Sequence, residues 1–274
     1  MKPLLLIFVI IALLVAPQIY TSVYTYKNIN LKAQDAHNMI KAELNRPGEQ
    51  AGYVRVVGAG GRFTEKKLHD SLMGDDNKKL QYGYTWHWQG IKKVTASAPG
   101  LDKAHHFVNS YLVGFSPFYT EHLWVPLYTL AMRKRYEYDH IQYSSYNEVW
   151  QNSRQAFYYT RGDCEDHALI LADWLISLGH DARVVVGAYK GGGHAWVVLF
   201  KDGSEYLLEA TSKRKQRNTD SYKLASLQTD YQPQYQFNRN KFWFNTGSIN
   251  TTRYSGESWI FKSRFISTAP VEYR

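Results

Sequence analysis

The sequence predicts an α+β fold in which one apolar helix packs on an antiparallel sheet, and three observations carry that expectation. Residues 164–178, Cys164-Glu-Asp-His-Ala-Leu-Ile-Leu-Ala-Asp-Trp-Leu-Ile-Ser-Leu178, are apolar nearly all round, the mark of a helix buried in a core. Two apolar runs, residues 195–200 and 206–208, flank the turn signal Lys201-Asp-Gly-Ser204 and read as an antiparallel hairpin. Aromatic segments further on, Tyr235-Gln-Phe237, Phe242-Trp-Phe244 and Trp259-Ile-Phe261, read as strands or packing anchors that return to the core.

Taken in order, the chain divides into four expected parts: 1–26, 27–100, 101–211 and 212–274. The first holds the run Pro3-Leu-Leu-Leu-Ile-Phe-Val-Ile-Ile-Ala-Leu-Leu-Val-Ala16, apolar and uncharged after Met1-Lys2. No small-x-small cleavage signal stands out after Ala16, and the tyrosines of Pro17-Gln-Ile-Tyr-Thr-Ser-Val-Tyr-Thr-Tyr26 suit an interfacial belt. A single-pass membrane anchor is favoured over a signal peptide. Residues 28–45 read as a polar helix or stalk ending before Pro47-Gly48. Short β-like runs follow, Tyr53-Val-Arg-Val-Val57 and Tyr82-Gly-Tyr-Thr-Trp-His-Trp88, in an extension with no assigned chemistry. Residues 101–135 show a helical pattern interrupted by Pro117 and Pro126. In the helix at 164–178, Asp163 is the expected N-cap and Gly179 the expected C′ residue. Residues 212–218, Ser212-Lys-Arg-Lys-Gln-Arg-Asn218, form a basic loop, and the remainder packs back on the core.

The chemistry lies in Arg161-Gly-Asp-Cys-Glu-Asp-His167, which sets the one cysteine of 274 residues at the start of the helix. A thiolate, not a thiol, attacks a carbonyl, and a helix N-terminus or a neighbouring imidazolium lowers a thiol's pKa. Gly191-Gly-Gly-His-Ala-Trp-Val197 then puts His194 at the head of a strand, as the base that takes the thiol proton and returns it to the leaving group. Glu209 ends the next run, Tyr206-Leu-Leu-Glu-Ala-Thr211, and is placed to hold the imidazole across the hairpin unless a bulge shifts the register. The surroundings of Cys164, Arg-Gly-Asp before it and two acids and a histidine after it, are more polar than a buried structural cysteine needs.

Gly162-Asp-Cys-Glu-Asp-His-Ala, Leu178-Gly-His-Asp-Ala-Arg-Val-Val185, Gly193-His-Ala-Trp-Val197 and Tyr206-Leu-Leu-Glu-Ala-Thr211 together resemble the transglutaminase-like superfamily, particularly its bacterial and archaeal cysteine-peptidase-like members. The resemblance spans residues 120–211. It implies a papain-like α+β core with a triad in this order: Cys164 as nucleophile, His194 as base and Glu209 at the acid position. Glu209 departs from the family's usual aspartate by one methylene, and Asp202 is a poor substitute because it lies in the turn. His167, one helical turn after Cys164, is the second departure and reads as a first-turn polar residue. The backbone N–H of Cys164 is one oxyanion donor. Trp150 and Gln151 are candidates for a second, since the resembling domains carry a Trp-rich polar stretch before the cysteine motif. Asp163 and Glu165 match acids that bind calcium in some similar proteases, although two carboxylates fall short of six to eight oxygens.

Several classes are excluded by composition. One cysteine permits no internal disulfide and no cysteine zinc site, the ten histidines show no metal-binding spacing, and neither glycine cluster ends as a phosphate loop does. Gly191-Gly-Gly193 is expected to form a mobile lip to a cleft. The net charge of +9 suits an anionic lipid or wall surface, while the 22 tyrosines and 8 tryptophans are spread over the chain and do not build a nucleic-acid face. The resulting expectation is a membrane-anchored, extracytoplasmic cysteine peptidase acting on a protein or peptide, such as a cell-wall peptide, through a Cys164 thioester, with no cofactor beyond calcium. Resolution by an amine would make it a transglutaminase, and loss of activity would leave an exported binding domain.

Overall fold

A nine-stranded antiparallel sheet organises the molecule, and its middle strands carry the site. The structure is a computed structural model that describes residues 51–72, 81–144, 146–220 and 222–268. Segments 1–26 and 28–45, expected as anchor and stalk, lie outside the described residues. Among the described residues no helix is long and apolar enough to cross a membrane.

The chain enters the sheet at β1 (Gly52–Val56) and β2 (Phe63–Thr64), continues through helix α1 (Glu65–Leu72), and then makes a separate three-stranded sheet from β3 (Tyr84–Trp88), β4 (Ile91–Pro99) and β5 (His105–Phe107). Helix α2 (Val125–Arg133) and the short strand β6 (Arg135–Tyr136) follow, then the one-turn helix α3 (Asp139–Gln142) and helix α4 (Ser153–Tyr158). The helical pattern expected over residues 101–135 is therefore realised only in α2. Residues 105–107 instead pair with β4, Val108–Tyr111 form a 3-10 turn, and Gly114 at φ +80° turns the chain away from helical geometry. Pro126 opens α2 near its N-terminus, where the missing N–H costs nothing.

Strand β7 (Arg161–Gly162) pairs in parallel with β6 and delivers the chain to helix α5 (Cys164–Ser177). Gly162 is required there: a Cβ would lie 2.2 Å from Asp166 Oδ2 and 2.7 Å from Lys134 Nζ. Helix α5 ends as the sequence implies. Gly179 takes φ +89°, its N–H bonds the Ile176 carbonyl at 3.0 Å, and the His180 N–H bonds the Leu175 carbonyl at 3.0 Å, which is a Schellman end.

Strands β8 (Asp181–Tyr189), β9 (Gly192–Lys201) and β10 (Ser204–Leu208) form a meander. Both hairpins turn on two residues of positive φ, Lys190-Gly191 and Asp202-Gly203, the geometry that matches strand twist. Gly192 and Gly193 are thus paired strand residues opposite Tyr189 and Ala188, which corrects the expectation of a mobile lip. Alternation sorts the two faces. Ala195, Val197 and Leu199 join the core beneath α5 with Leu169, Ile170 and Leu175, whereas Trp196 and Val198 join a second cluster with Tyr231, Tyr254 and Trp259.

The remaining strands, β11 (Lys223–Leu224), β12 (Tyr231–Phe237), β13 (Lys241–Asn245) and β14 (Trp259–Ser267), complete the order β11-β10-β9-β8-β12-β13-β14-β1-β2. The three aromatic segments fall in β12, β13 and β14. Because β12 inserts beside β8 and β1 pairs with β14, the expected boundaries at residues 100 and 211 are not seams in the fold. The described residues belong to a single compact unit.

Candidate active site

Helix α5 opens on Cys164 and packs on the sheet, and the β9–β10 hairpin brings His194 and Glu209 together. Leu208 pairs with Val197, so the register continued by one residue sets Glu209 beside Trp196, on the face that His194 shares. The result is a hydrogen bond from His194 Nε2 to Glu209 Oε2 of 2.9 Å. The carboxylate is further fixed by Tyr231 Oη on Oε2 at 2.8 Å and by the Thr211 N–H and hydroxyl on Oε1 at 3.0 and 2.7 Å. Burial works against the Glu209 charge, but these donors prevail and hold its carboxyl below the usual range. The longer glutamate therefore reaches the imidazole without a bulge.

With Nε2 donating to Glu209, the imidazole keeps Nδ1 as its free acceptor. Its ring is bracketed by aromatics, at 5.5 Å from Tyr189, 6.1 Å from Trp196 and 6.3 Å from Tyr231. Cys164 approaches β9 one residue further on, where the Ala195 backbone N–H favours the thiolate. The thiol itself donates to Glu165 Oε2 at 3.4 Å, and no hydrogen bond joins it to His194 among the described contacts. Burial first, then the negative charge of Asp163, pushes the thiol pKa up to about 12. His194 and Glu209 are thus paired, while the Cys164 thiol has Glu165 as its hydrogen-bond partner.

Asp163 sits at the N-cap position but makes no side-chain capping bond. It belongs instead to a cluster with Asp139, Glu165 and Asp166, whose carboxylate oxygens lie within 4.8 Å of one another. Each of the four leaves one buried oxygen without a hydrogen-bond partner: Asp139 Oδ1, Asp163 Oδ1, Glu165 Oε1 and Asp166 Oδ2. Two of the other oxygens are anchored, since the Val149 N–H donates to Asp139 Oδ2 and the Gln151 N–H to Asp166 Oδ1 at 2.8 Å. Burial and the charges of Asp166 and Asp163 raise the Asp139 pKa to about 10, and burial raises Glu165 and Asp166 well above the carboxylate range. Four converging hard oxygens with no partner fit a divalent cation such as calcium, which makes the calcium set larger than the Asp163 and Glu165 pair read from sequence.

Trp150 and Gln151 serve this surrounding structure. The Trp150 indole N–H bonds Glu148 Oε1 at 2.6 Å, while both amide protons of Gln151 are taken, by Tyr143 Oη at 2.8 Å and the Arg161 carbonyl at 3.0 Å. Neither side chain has an N–H left for an oxyanion. Beneath the cluster the buried Lys134 ammonium bonds the Arg161 carbonyl at 2.8 Å and Gln151 Oε1 at 3.1 Å, and burial lowers its pKa to about 8. His167 is wholly buried, its Nδ1 bonding the Asp163 carbonyl at 2.6 Å and its Nε2 accepting from Lys213 at 3.1 Å. It is a positioning residue for the Asp163 peptide. Asp202 stays in the β9–β10 turn, paired with its neighbour Lys201.

A half-buried thiol at a helix N-terminus and a histidine–carboxylate pair are the groups that thiol acyl transfer uses. The comparisons agree at a coarse level. Residues 148–262 match the family model of the CEP76 peptidase-like domain. No curated protein matches the chain. Among solved structures, Legionella pneumophila LapG is similar in its calcium-bound form, at 19% identity over 54% of this chain and 81% of LapG with a TM-score of 0.37. Its EGTA-treated form is similar at 19% identity over 51% and 73%, with a TM-score of 0.36. Likeness at that level is too slight to bear on the reaction.

Proposed function

We propose that the chain is a cysteine peptidase on a papain-like core, which hydrolyses a peptide or isopeptide bond through a thioester at Cys164. The observation that carries this reading is the His194–Glu209 hydrogen bond, formed from β9, the strand that packs beneath the helix opening on Cys164. Glu209 holds Nε2 protonated, leaving Nδ1 to take the thiol proton. The thiolate then forms a C–S bond to the carbonyl carbon, and the resulting oxyanion lies at the Cys164 backbone N–H, a group without an intrahelical partner. Collapse breaks the C–N bond as the imidazolium returns its proton to the leaving amine. Water, deprotonated by the same Nδ1, resolves the thioester to a carboxylate and the free thiol.

Asp139, Asp163, Glu165 and Asp166 would hold a calcium ion, whose charge would neutralise the acids that flank the sulfur and fix the first turn of α5. Such an ion, the positive net charge and the apolar residues 4–16 together support an extracytoplasmic, membrane-anchored enzyme acting on a protein or peptide of the cell surface. A second reading, a binding domain without activity, is favoured by one observation, the thiol's bond to Glu165 and not to His194.

The test is incubation of the full chain with calcium and a diverse peptide library, reading new termini by mass spectrometry beside Cys164→Ala. Cleavage confined to the wild type supports the peptidase. Identical peptide populations in both samples would leave the binding domain.

A further inference from the structure

We propose that the cleft beside Glu209 is a substrate subsite that takes a carboxylate, either an Asp or Glu side chain or a peptide's free C-terminus, on Arg214 and Lys223. This deepens the peptidase reading and rests on it. The cleft has a volume of about 210 Å³ and is walled by Leu127, Tyr189 and Tyr231, with Glu209 of the histidine–carboxylate pair in its lining and Arg214 and Lys223 at its rim. That is room for one side chain or chain end beside Glu209.

Its electrostatics favour an anion despite the presence of Glu209. Both oxygens of that carboxylate are already occupied by His194, Tyr231 and Thr211, so it is not a partner for the rim cations. Among the described residues neither the Arg214 guanidinium nor the Lys223 ammonium has an acidic partner, and from residue 210 to 219 the chain holds Lys213, Arg214, Lys215 and Arg217 but no acid.

The loop that presents Arg214 is tied on both sides. Lys213 Nζ bonds the Lys134 carbonyl at 2.5 Å and His167 Nε2 at 3.1 Å. Four residues later Arg217 bonds Tyr128 Oη at 3.3 Å and lies over that ring at 5.5 Å from its centroid. The loop around Arg214 is therefore held between two anchors, and less loop freedom is lost when a carboxylate arrives. A guanidinium and an ammonium lining one slot select a carboxylate over its amide by charge-assisted hydrogen bonds.

The experiment uses the full-length chain with calcium and matched peptides that carry Glu, Gln or Lys in turn at each position flanking the cleaved bond, with free or amidated C-termini. The expected result is a preference of about tenfold in kcat/KM, expressed in KM, for Glu over Gln at one position or for the free acid over the amide, the order of a single charge-assisted pair. Position dependence identifies a side chain, and end dependence a C-terminus. The double substitution Arg214→Glu with Lys223→Glu should reverse the order, so that Lys exceeds Glu, an outcome that misfolding does not produce. Equal cleavage of all peptides by the wild type overturns the subsite and leaves the peptidase standing. Cleavage of none overturns the peptidase itself, and the subsite with it.

Discussion

Calcium should stabilise this protein by an amount that can be worked from its acid cluster. Two unit charges 4.8 Å apart, the outer limit among these four carboxylates, repel by about 3.5 kcal/mol at an effective dielectric near 20. Three buried carboxylates and one half-buried at that spacing are not all ionised without a cation, and each leaves an oxygen unbonded. A ligand at 100 times its Kd that binds only the folded state adds about 2.7 kcal/mol. For a domain of this size the melting temperature then rises by about 5–11 °C. The assay is thermal unfolding of the full chain in EGTA, calcium or magnesium at constant ionic strength, with Asp139→Asn and Asp166→Asn beside the wild type. Magnesium should do less, because it dehydrates reluctantly and the four donors are buried. An unchanged melting temperature at millimolar calcium, or an equal rise in both variants, would refute the reasoning.

Four further outcomes are expected. Substituting His194→Ala should lower kcat by about 10²–10⁴-fold, the usual worth of a positioned general base, measured on any peptide the wild type cleaves. Glu209 has its folded pKa held below the ordinary value of 4.5, so it contributes stability above that value which is lost as pH falls through the lowered one. Acid unfolding followed by circular dichroism should therefore be steeper for the wild type than for Glu209→Gln. Trp174 is fully buried and its indole N–H bonds the Phe118 carbonyl at 3.0 Å, so Trp174→Ala should cost about 3–5 kcal/mol in chemical denaturation. Gly179→Ala forces a Cβ into the left-handed region at φ +89° and should cost about 1–2 kcal/mol by the same measurement.

The parts of the fold that could be read in advance are those set by local pattern. The apolar run 164–178 became α5 because no face of it suits water, and Gly179 ended it because only glycine adopts that backbone without strain. Asp202-Gly203 fixed the β9–β10 hairpin, and its register in turn placed Glu209 against His194. Residues 101–135 were misread because apolar spacing alone does not distinguish a helix from a buried irregular segment, and pairing of His105–Phe107 with β4 decided it. The role of Gly191-Gly192-Gly193 was misread for a related reason: glycines that look loose in sequence are paired when a tight turn closes the hairpin.

At the site, sequence order was enough to set His194 against Glu209. It was not enough for the acid cluster. Asp166 stands one turn after Asp163 and was open to a helical reading, but Asp139 comes from a separate one-turn helix 24 residues before Asp163, a distance that only folding closes. Nor does any sequence pattern report that the amide protons of Gln151 are already bound, or that the Cys164 thiol turns to Glu165.

The rate of iodoacetamide alkylation at Cys164, followed by intact mass near neutral pH with calcium present, tests the central claim most directly. A thiol activated by His194 should react at least about tenfold faster than a model thiol and lose that excess in His194→Ala. Equal rates in the wild type, the variant and the model thiol would contradict the proposed chemistry.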